Sequence, residues 1–194
     1  MKNMIIYAIT IFTIGFANAQ SRESGTFELT PVVGYSSYTL GGDNASGLKS
    51  VTGVFYGVFG DYFFNNRWSI RSGLTNTTMG ARDNYPNELK LNYIVVPINA
   101  NWHFGSTRKW NLNFGVSPSF LTSAKFNDNE YKSNINSFQL GISYGIGYKI
   151  EVTEDFSILI DTQGLVGTSN IYKEGNVKQF NSGSSINIGG VFHF

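Results

Sequence analysis

Asn187-Ile-Gly-Gly-Val-Phe-His-Phe194, the last stretch of the chain, alternates strictly. Ile186, Ile188, Gly190, Phe192 and Phe194 fall on one face of a strand. Ser185, Asn187, Gly189, Val191 and His193 fall on the other, because strand side chains alternate with a period of two. A broad apolar face that runs out to a terminal aromatic is odd for a soluble protein, whose chain ends usually fray into water. It is explained if Phe194 lies at a membrane interface, in the last strand of a barrel.

The same alternation recurs upstream. Over 138–151, Phe138, Leu140, Ile142, Tyr144, Ile146, Tyr148 and Ile150 oppose Gln139, Gly141, Ser143, Gly145, Gly147, Lys149 and Glu151. Over 112–120, Leu112, Phe114, Val116, Pro118 and Phe120 oppose Asn113, Gly115, Ser117 and Ser119. Ile94, Val96, Ile98, Ala100, Trp102 and Phe104 oppose Tyr93, Val95, Pro97, Asn99, Asn101 and His103. Nearer the start, Trp68, Ile70 and Leu74 oppose Arg67, Ser69 and Arg71. Val54, Tyr56, Val58 and Tyr62 oppose Phe59 and Asp61, and Phe27, Leu29, Val33 and Tyr35 oppose Glu28, Thr30 and Ser36. A strand over about 156–168 places Ile158 and Ile160 outward and Asp161 inward.

The connections alternate in length. Polar loops at 41–50, 80–90, 124–136 and 170–181 interleave with an Asn65-Asn66 hairpin turn and short turns at 105–109 and 152–155. The pattern predicts an all-β fold, an eight-stranded antiparallel up-and-down transmembrane β-barrel with short periplasmic turns and longer extracellular loops. Pro97 and Pro118 fall within strands, and a missing donor there predicts a bulge or a locally wide pair.

A soluble, lipocalin-like binder also closes eight strands, so placement of the faces decides. An eight-stranded interior has room only for side chains. Tyr144, Ile146, Tyr148, Trp102, Phe104 and Phe120 would overfill it, whereas the Gly, Ser, Asn and charged face fits. Trp68, Trp102, Phe104, Trp110, Tyr148, Phe156, Phe192 and Phe194 lie near the short-turn ends, as an interfacial girdle requires. The inward charges Glu28, Asp61, Arg67, Arg71, Lys149, Glu151 and Asp161 carry both signs and are expected to form a polar network that fills the lumen.

The N-terminus carries Lys2, an apolar run over 4–16 and the small-residue site Ala17-Asn18-Ala19, the layout of a cleaved secretory signal over 1–19. The mature chain, 20–194, is one domain. Lys+Arg number 14 and Asp+Glu 13; without Lys2 the two are equal, so no basic field draws nucleic acid. There is no cysteine, which excludes disulfide staples and thiol chemistry. His103 and His193 stand alone on separate strands, with no further ligands in view, so no metal, cofactor or catalytic residue is assigned.

Tyr93-Ile-Val-Val-Pro-Ile98, Gly115-Val-Ser-Pro118, the Gly-rich sixth strand and the Gly-x-x-Phe-x-Phe ending together resemble the outer-membrane β-barrel domain family of Gram-negative bacteria, often labelled "porin family" and akin to small OmpA- and OmpX-like barrels. The resemblance spans the whole mature chain. It implies residence in the outer membrane, among its lipid. It also implies that Asn187, Gly189, Phe192 and Phe194 act as the signal read by the barrel-assembly machinery. Many relatives carry a carboxylate where this chain has Val95, so a lumen role for that acid does not transfer. No peptidoglycan-binding domain of the OmpA type is expected.

The function expected is a non-enzymatic envelope or surface role, with protein or glycan partners met through the extracellular loops and their aromatics Tyr85, Phe126, Tyr131, Tyr172 and Phe180. The alternatives are a small porin or gated channel, and the soluble periplasmic binder.

Overall fold

The computed structural model describes residues 24–85 and 87–194, so the expected signal over 1–19 lies outside the described residues. The strands are β1 (Phe27–Gly42), β2 (Lys49–Phe63), β3 (Trp68–Arg82), β4 in two segments (Glu88–Val95 and Ile98–Phe104), β5 (Trp110–Phe126), β6 (Phe138–Glu151), β7 (Phe156–Gly167) and β8 (Gln179–His193). Each pairs antiparallel with the next, and β1 pairs with β8, so eight strands close into a ring with no free edge. The loop between β5 and β6 adds a two-residue strand, Asn129–Glu130, and a single 3-10 turn, Lys132–Asn134.

The faces fall as the alternation requires. Tyr144 and Ile146 are 51% and 40% exposed on the outer wall, while Arg71 and Lys149 are fully buried within. A soluble barrel would reverse this, and the lipocalin-like reading is set aside. Aromatic rings line the short-turn end of the wall in a continuous chain. Trp68, Trp102, Phe104, Trp110 and Tyr148 follow one another at centroid spacings of 6.2, 5.1, 6.2 and 4.8 Å. Such a belt suits the membrane–water boundary, where an apolar ring body meets headgroups.

Pro97 and Pro118 share one interruption. The β4–β5 ladder runs through Val95↔Ser119 and resumes at Ile98↔Val116 in the same register, bridged by a bond from Val96 N–H to the Pro118 carbonyl at 2.9 Å. The ladder is therefore locally wide rather than bulged. On its other side Pro118 stays paired, with Leu140 of β6. A true register shift comes higher, where Asn92↔Ser123 gives way to Tyr93↔Leu121.

The strands overrun their expected ends on the long-loop side. β3 extends to Arg82 and β4 begins at Glu88, so most of the loop expected at 80–90 is ladder; β1, β2, β5 and β8 extend likewise. In this taller portion the two faces exchange character. The outer wall becomes Ser37, Thr39, Thr52, Asn76, Thr78, Asn92, Ser182 and Ser184. The interior becomes a packed apolar core that includes Tyr38, Leu40, Met79, Leu89, Leu91, Tyr93 and Leu165. One closed sheet is thus a membrane barrel at one end and a water-soluble barrel at the other.

Candidate functional site

The lower lumen is built from side chains that could not be buried singly. Asp61 stands at its centre. Its Oδ2 accepts from Arg71 Nε at 2.9 Å and pairs with Nη2 at 2.9 Å, while Oδ1 accepts from Ser69 and from Asn101, each at 2.8 Å. Arg71 reaches on to Asp161, with Nη1 3.6 Å from Oδ2. Asp161 accepts in turn from Gln163 at 2.7 Å and Asn187 at 2.9 Å. Nearer the short-turn end, Glu28 pairs with Lys149 through Oε2 and with His193 Nδ1 through Oε1, the latter at 3.2 Å. The two cations also lie against rings, Arg71 5.3 Å from the Phe59 centroid and Lys149 5.6 Å from that of Phe63. Burying ions is costly unless each is paired. Every ion of this set has an oppositely charged partner across five strands, Arg71 donating its hydrogen bond through Nε while its two Nη atoms make only ion-pair contacts.

The network expected from sequence therefore assembles around Glu28, Asp61, Arg71, Lys149 and Asp161. Arg67 does not join it and is corrected here: it is exposed in the hairpin before β3. Asn65 Oδ1 accepts from the Arg67 and Trp68 backbone N–H groups at 2.9 and 3.0 Å, which folds this residue into the turn rather than the strand. Glu151 lies at the rim and pairs with Lys109 at 3.0 Å, apart from the buried group.

Two histidines that looked isolated have serine partners. His103 Nε2 lies 3.1 Å from Ser69 Oγ. His193 Nε2 lies 3.0 Å from Ser157 Oγ, with Glu28 on its other nitrogen. The order Ser157–His193–Glu28 has the spacing of a catalytic triad. Ser157 is nevertheless fully buried, and Glu28 already pairs with Lys149, so the hydroxyl is not presented to solvent. The chain of bonds ties the end of β8 between β1 and β7.

Of the four terminal-strand residues singled out by sequence, Asn187 and Gly189 face inward, Asn187 on Asp161 and Gly189 against Val32 and Thr30. Phe192 and Phe194 face outward, 5.2 Å from Phe156 and 6.5 Å from Phe27 between centroids.

Between the polar and apolar layers the lumen leaves a void of about 30 Å³, lined by Phe55, Phe59, Thr75, Thr77, Ser117 and Gln163 among others, room for about one water. Above it the apolar core is roofed by two loops zipped together. Ile135 bridges Tyr172, the Asn136 amide donates to the carbonyls of Asn170 and Tyr172 at 2.9 and 3.0 Å, and the Ile171 N–H donates to Gln179 at 2.8 Å. Ile135 and Ile171 are buried beneath this cap, and Tyr131 and Tyr172 pack against the core. Burial pushes the Tyr172 phenol above its ordinary pKa, with nearby Tyr131 a smaller cause. Only Tyr85, at 77%, and Phe126, at 40%, remain openly exposed among the loop aromatics expected to meet partners; the other three are partly covered.

Sequence reasoning missed this upper core. Its signal was in β4, where inward Leu89, Leu91 and Tyr93 alternate with outward Lys90 and Asn92 before Ile94 restores the membrane pattern. Also missed was a surface cleft of about 370 Å³ at the long-loop end, lined by Lys49, Arg82, Asp83, Tyr85, Asn87 and Glu88.

The model of the outer membrane protein beta-barrel domain family matches residues 18–173. No curated protein sequence matches the chain. Among solved structures, the outer membrane protein OprG of Pseudomonas aeruginosa superposes with a TM-score of 0.56 at 12% identity, covering 91% of this chain and 99% of its own. The N-terminal β-barrel domain of OprF from the same organism gives 0.52 at 14% identity, over 89% of this chain and all of the other. Ail, the attachment invasion locus protein of Yersinia pestis, gives 0.51 at 16% identity, again over 89% of this chain and all of the other. At these identities the likeness is one of fold. The apolar wall, the aromatic belt, the ring of eight strands and the family match agree: the chain belongs to the outer membrane protein beta-barrel domain family and resides in the outer membrane of a Gram-negative cell.

Proposed function

We propose that the protein is a non-enzymatic outer-membrane barrel with a sealed lumen, which acts at the cell surface through its extracellular end. The observation that supports this is the double closure of the interior. Paired charges fill the membrane-level lumen, with Arg71 and Lys149 fully buried, and an apolar core under a bonded cap fills the level above. An ion entering from the extracellular side meets first the capped apolar core, and one entering from the periplasmic side meets first the buried ion pairs. The wall contacts outer-membrane lipid. Asn187, Gly189, Phe192 and Phe194 serve as the assembly signal during insertion, and surface partners dock on the extracellular end.

Planar-bilayer recording tests the reading. The purified barrel is expected to give no stepwise current above the bare-bilayer baseline, and a variant with 168–178 replaced by a short Gly-Ser link should stay silent as well, because the charge network remains. Discrete steps from the intact protein would instead establish the small porin or gated channel.

A further inference from the structure

We propose that the cleft at the extracellular ends of β2, β3 and β4 binds an oxyanion carried on a sugar, a phosphate or sulfate ester whose ring lies against Tyr85. The inference deepens the surface-contact reading and rests on it, by naming the ligand chemistry of one place on that surface.

Lys49 and Arg82 are directly opposite each other at the end of the β2–β3 ladder. Cross-strand partners hold their side chains on the same face about 5 Å apart, and like charges so placed repel. The fold has carboxylates at hand to relieve this and does not use them. Asp83 is occupied at both oxygens, accepting the Tyr85 N–H at 2.8 Å and the Asn87 amide at 3.0 Å. Glu88 sits opposite Arg82 in the ladder, yet its carboxylate pairs with Lys90 at 2.7 Å. Among the described residues neither the Lys49 nor the Arg82 side chain makes a hydrogen bond or ion pair. Two unneutralised cations on a rigid ladder form a preset oxyanion seat, and a guanidinium offers two parallel donors to phosphate or sulfate.

The rest of the lining selects against a bare anion. The carboxylates of Asp83 and Glu88 border the same cleft and weaken the hold on any anion, but their remaining lone pairs accept hydrogen bonds from hydroxyls, which a sugar ester carries and an inorganic ion lacks. Tyr85, 77% exposed, presents an aromatic face to the C–H face of a ring. A cleft of about 370 Å³ is within the size range of small-ligand sites. Arg82 shares the outward parity of Trp68, Ile70 and Leu74, but follows Asn76 and Thr78 above the apolar band. It therefore faces sideways, into the layer of surface saccharide rather than into hydrocarbon. Such an ester can come from a phosphorylated core sugar of lipopolysaccharide in the same leaflet or from a soluble sulfated glycan.

The test uses the full barrel in nanodiscs, with K49Q/R82Q and Y85A as probes and K173Q as a control cation outside the cleft. Binding of a heparin tetrasaccharide is read by surface plasmon resonance. Retention of rough lipopolysaccharide, with and without its core phosphates, is read by native mass spectrometry. The proposal expects K49Q/R82Q to lose about tenfold or more in at least one arm, the scale of losing charge-assisted hydrogen bonds, with a smaller loss for Y85A and none for K173Q. Loss in the lipopolysaccharide arm alone assigns the leaflet as the source, and loss in the heparin arm alone a soluble glycan. Equal loss in K173Q, no binding in either arm, or competition by inorganic phosphate as effective as by glucose 6-phosphate would overturn the proposal. Those failures leave the silent bilayer of a sealed barrel untouched, so the two readings fall separately.

Discussion

Arg71 joins two carboxylates that would otherwise be buried charges without a cation. Asp61 and Asp161 reach it from different strands, and none of the three sees solvent beyond a few per cent. Removing one partner of such a group costs far more than removing both, because the remaining charge is left desolvated. Arg71→Met is therefore expected to destabilise the folded barrel by about 3–5 kcal/mol in urea titration of lipid-reconstituted protein. Arg71→Met combined with Asp61→Asn should recover part of that loss, whereas an additive double variant would show that the ions do not interact. At the same scale, Ser157 is expected to resist a fluorophosphonate probe, read by intact mass, because its hydroxyl is walled in despite the imidazole 3.0 Å away. Labelling at Ser157 would reopen the case for catalysis. These residues were partly legible in the sequence: counting in twos put Arg71, Lys149 and Asp161 inside. The same counting failed for Arg67, since parity carries no information once Asn65 has bent the chain into a turn.

Along an element, the informative feature is the exchange of faces. β4 reads polar-out and apolar-in through Leu89, Leu91 and Tyr93, then apolar-out and polar-in through Ile98, Asn99 and Asn101. A strand of fixed pleat can do this only by changing composition, so the level of the change marks where water replaces hydrocarbon on the outer wall. A charge placed on that wall reads the level directly. Ile142→Arg, midway along the apolar band, is expected to cost about 2–4 kcal/mol, and Thr52→Arg, above it, about 0–1 kcal/mol, by the same urea titration. Equal costs would mean that the band does not end where Ser37, Thr52 and Asn76 begin. Close packing inside adds a second prediction. A Cβ at Gly115 would run into the Ile98 carbonyl and the Asn99 side chain, so Gly115→Leu should slow or abolish refolding into lipid, monitored by gel mobility. The aromatic lower half of each strand was readable because greasy and small residues alternate there without interruption. The upper half was not. Its inward residues sit among Gly, Asn and Lys that read as loop, and register shifts near Ser50 and Asn92 break the count.

For the whole molecule, closure of the ring and the inverted wall are expected to make a single cooperative unit that survives detergent. Unheated protein is expected to run faster than boiled protein on a detergent gel, and identical mobility would argue against a closed barrel. One sheet faces lipid below and water above, and the absence of cysteine makes the decisive measurement clean. Spin labels on single cysteines introduced at Ile142, Ile146, Ile188, Thr39, Thr52 and Ser184 can be probed in lipid by collision with oxygen and with a water-soluble nickel chelate. The first three are predicted to relax with oxygen and not with nickel, and the last three the reverse; nickel access at Ile146, or oxygen-dominated relaxation at Thr52, would contradict it.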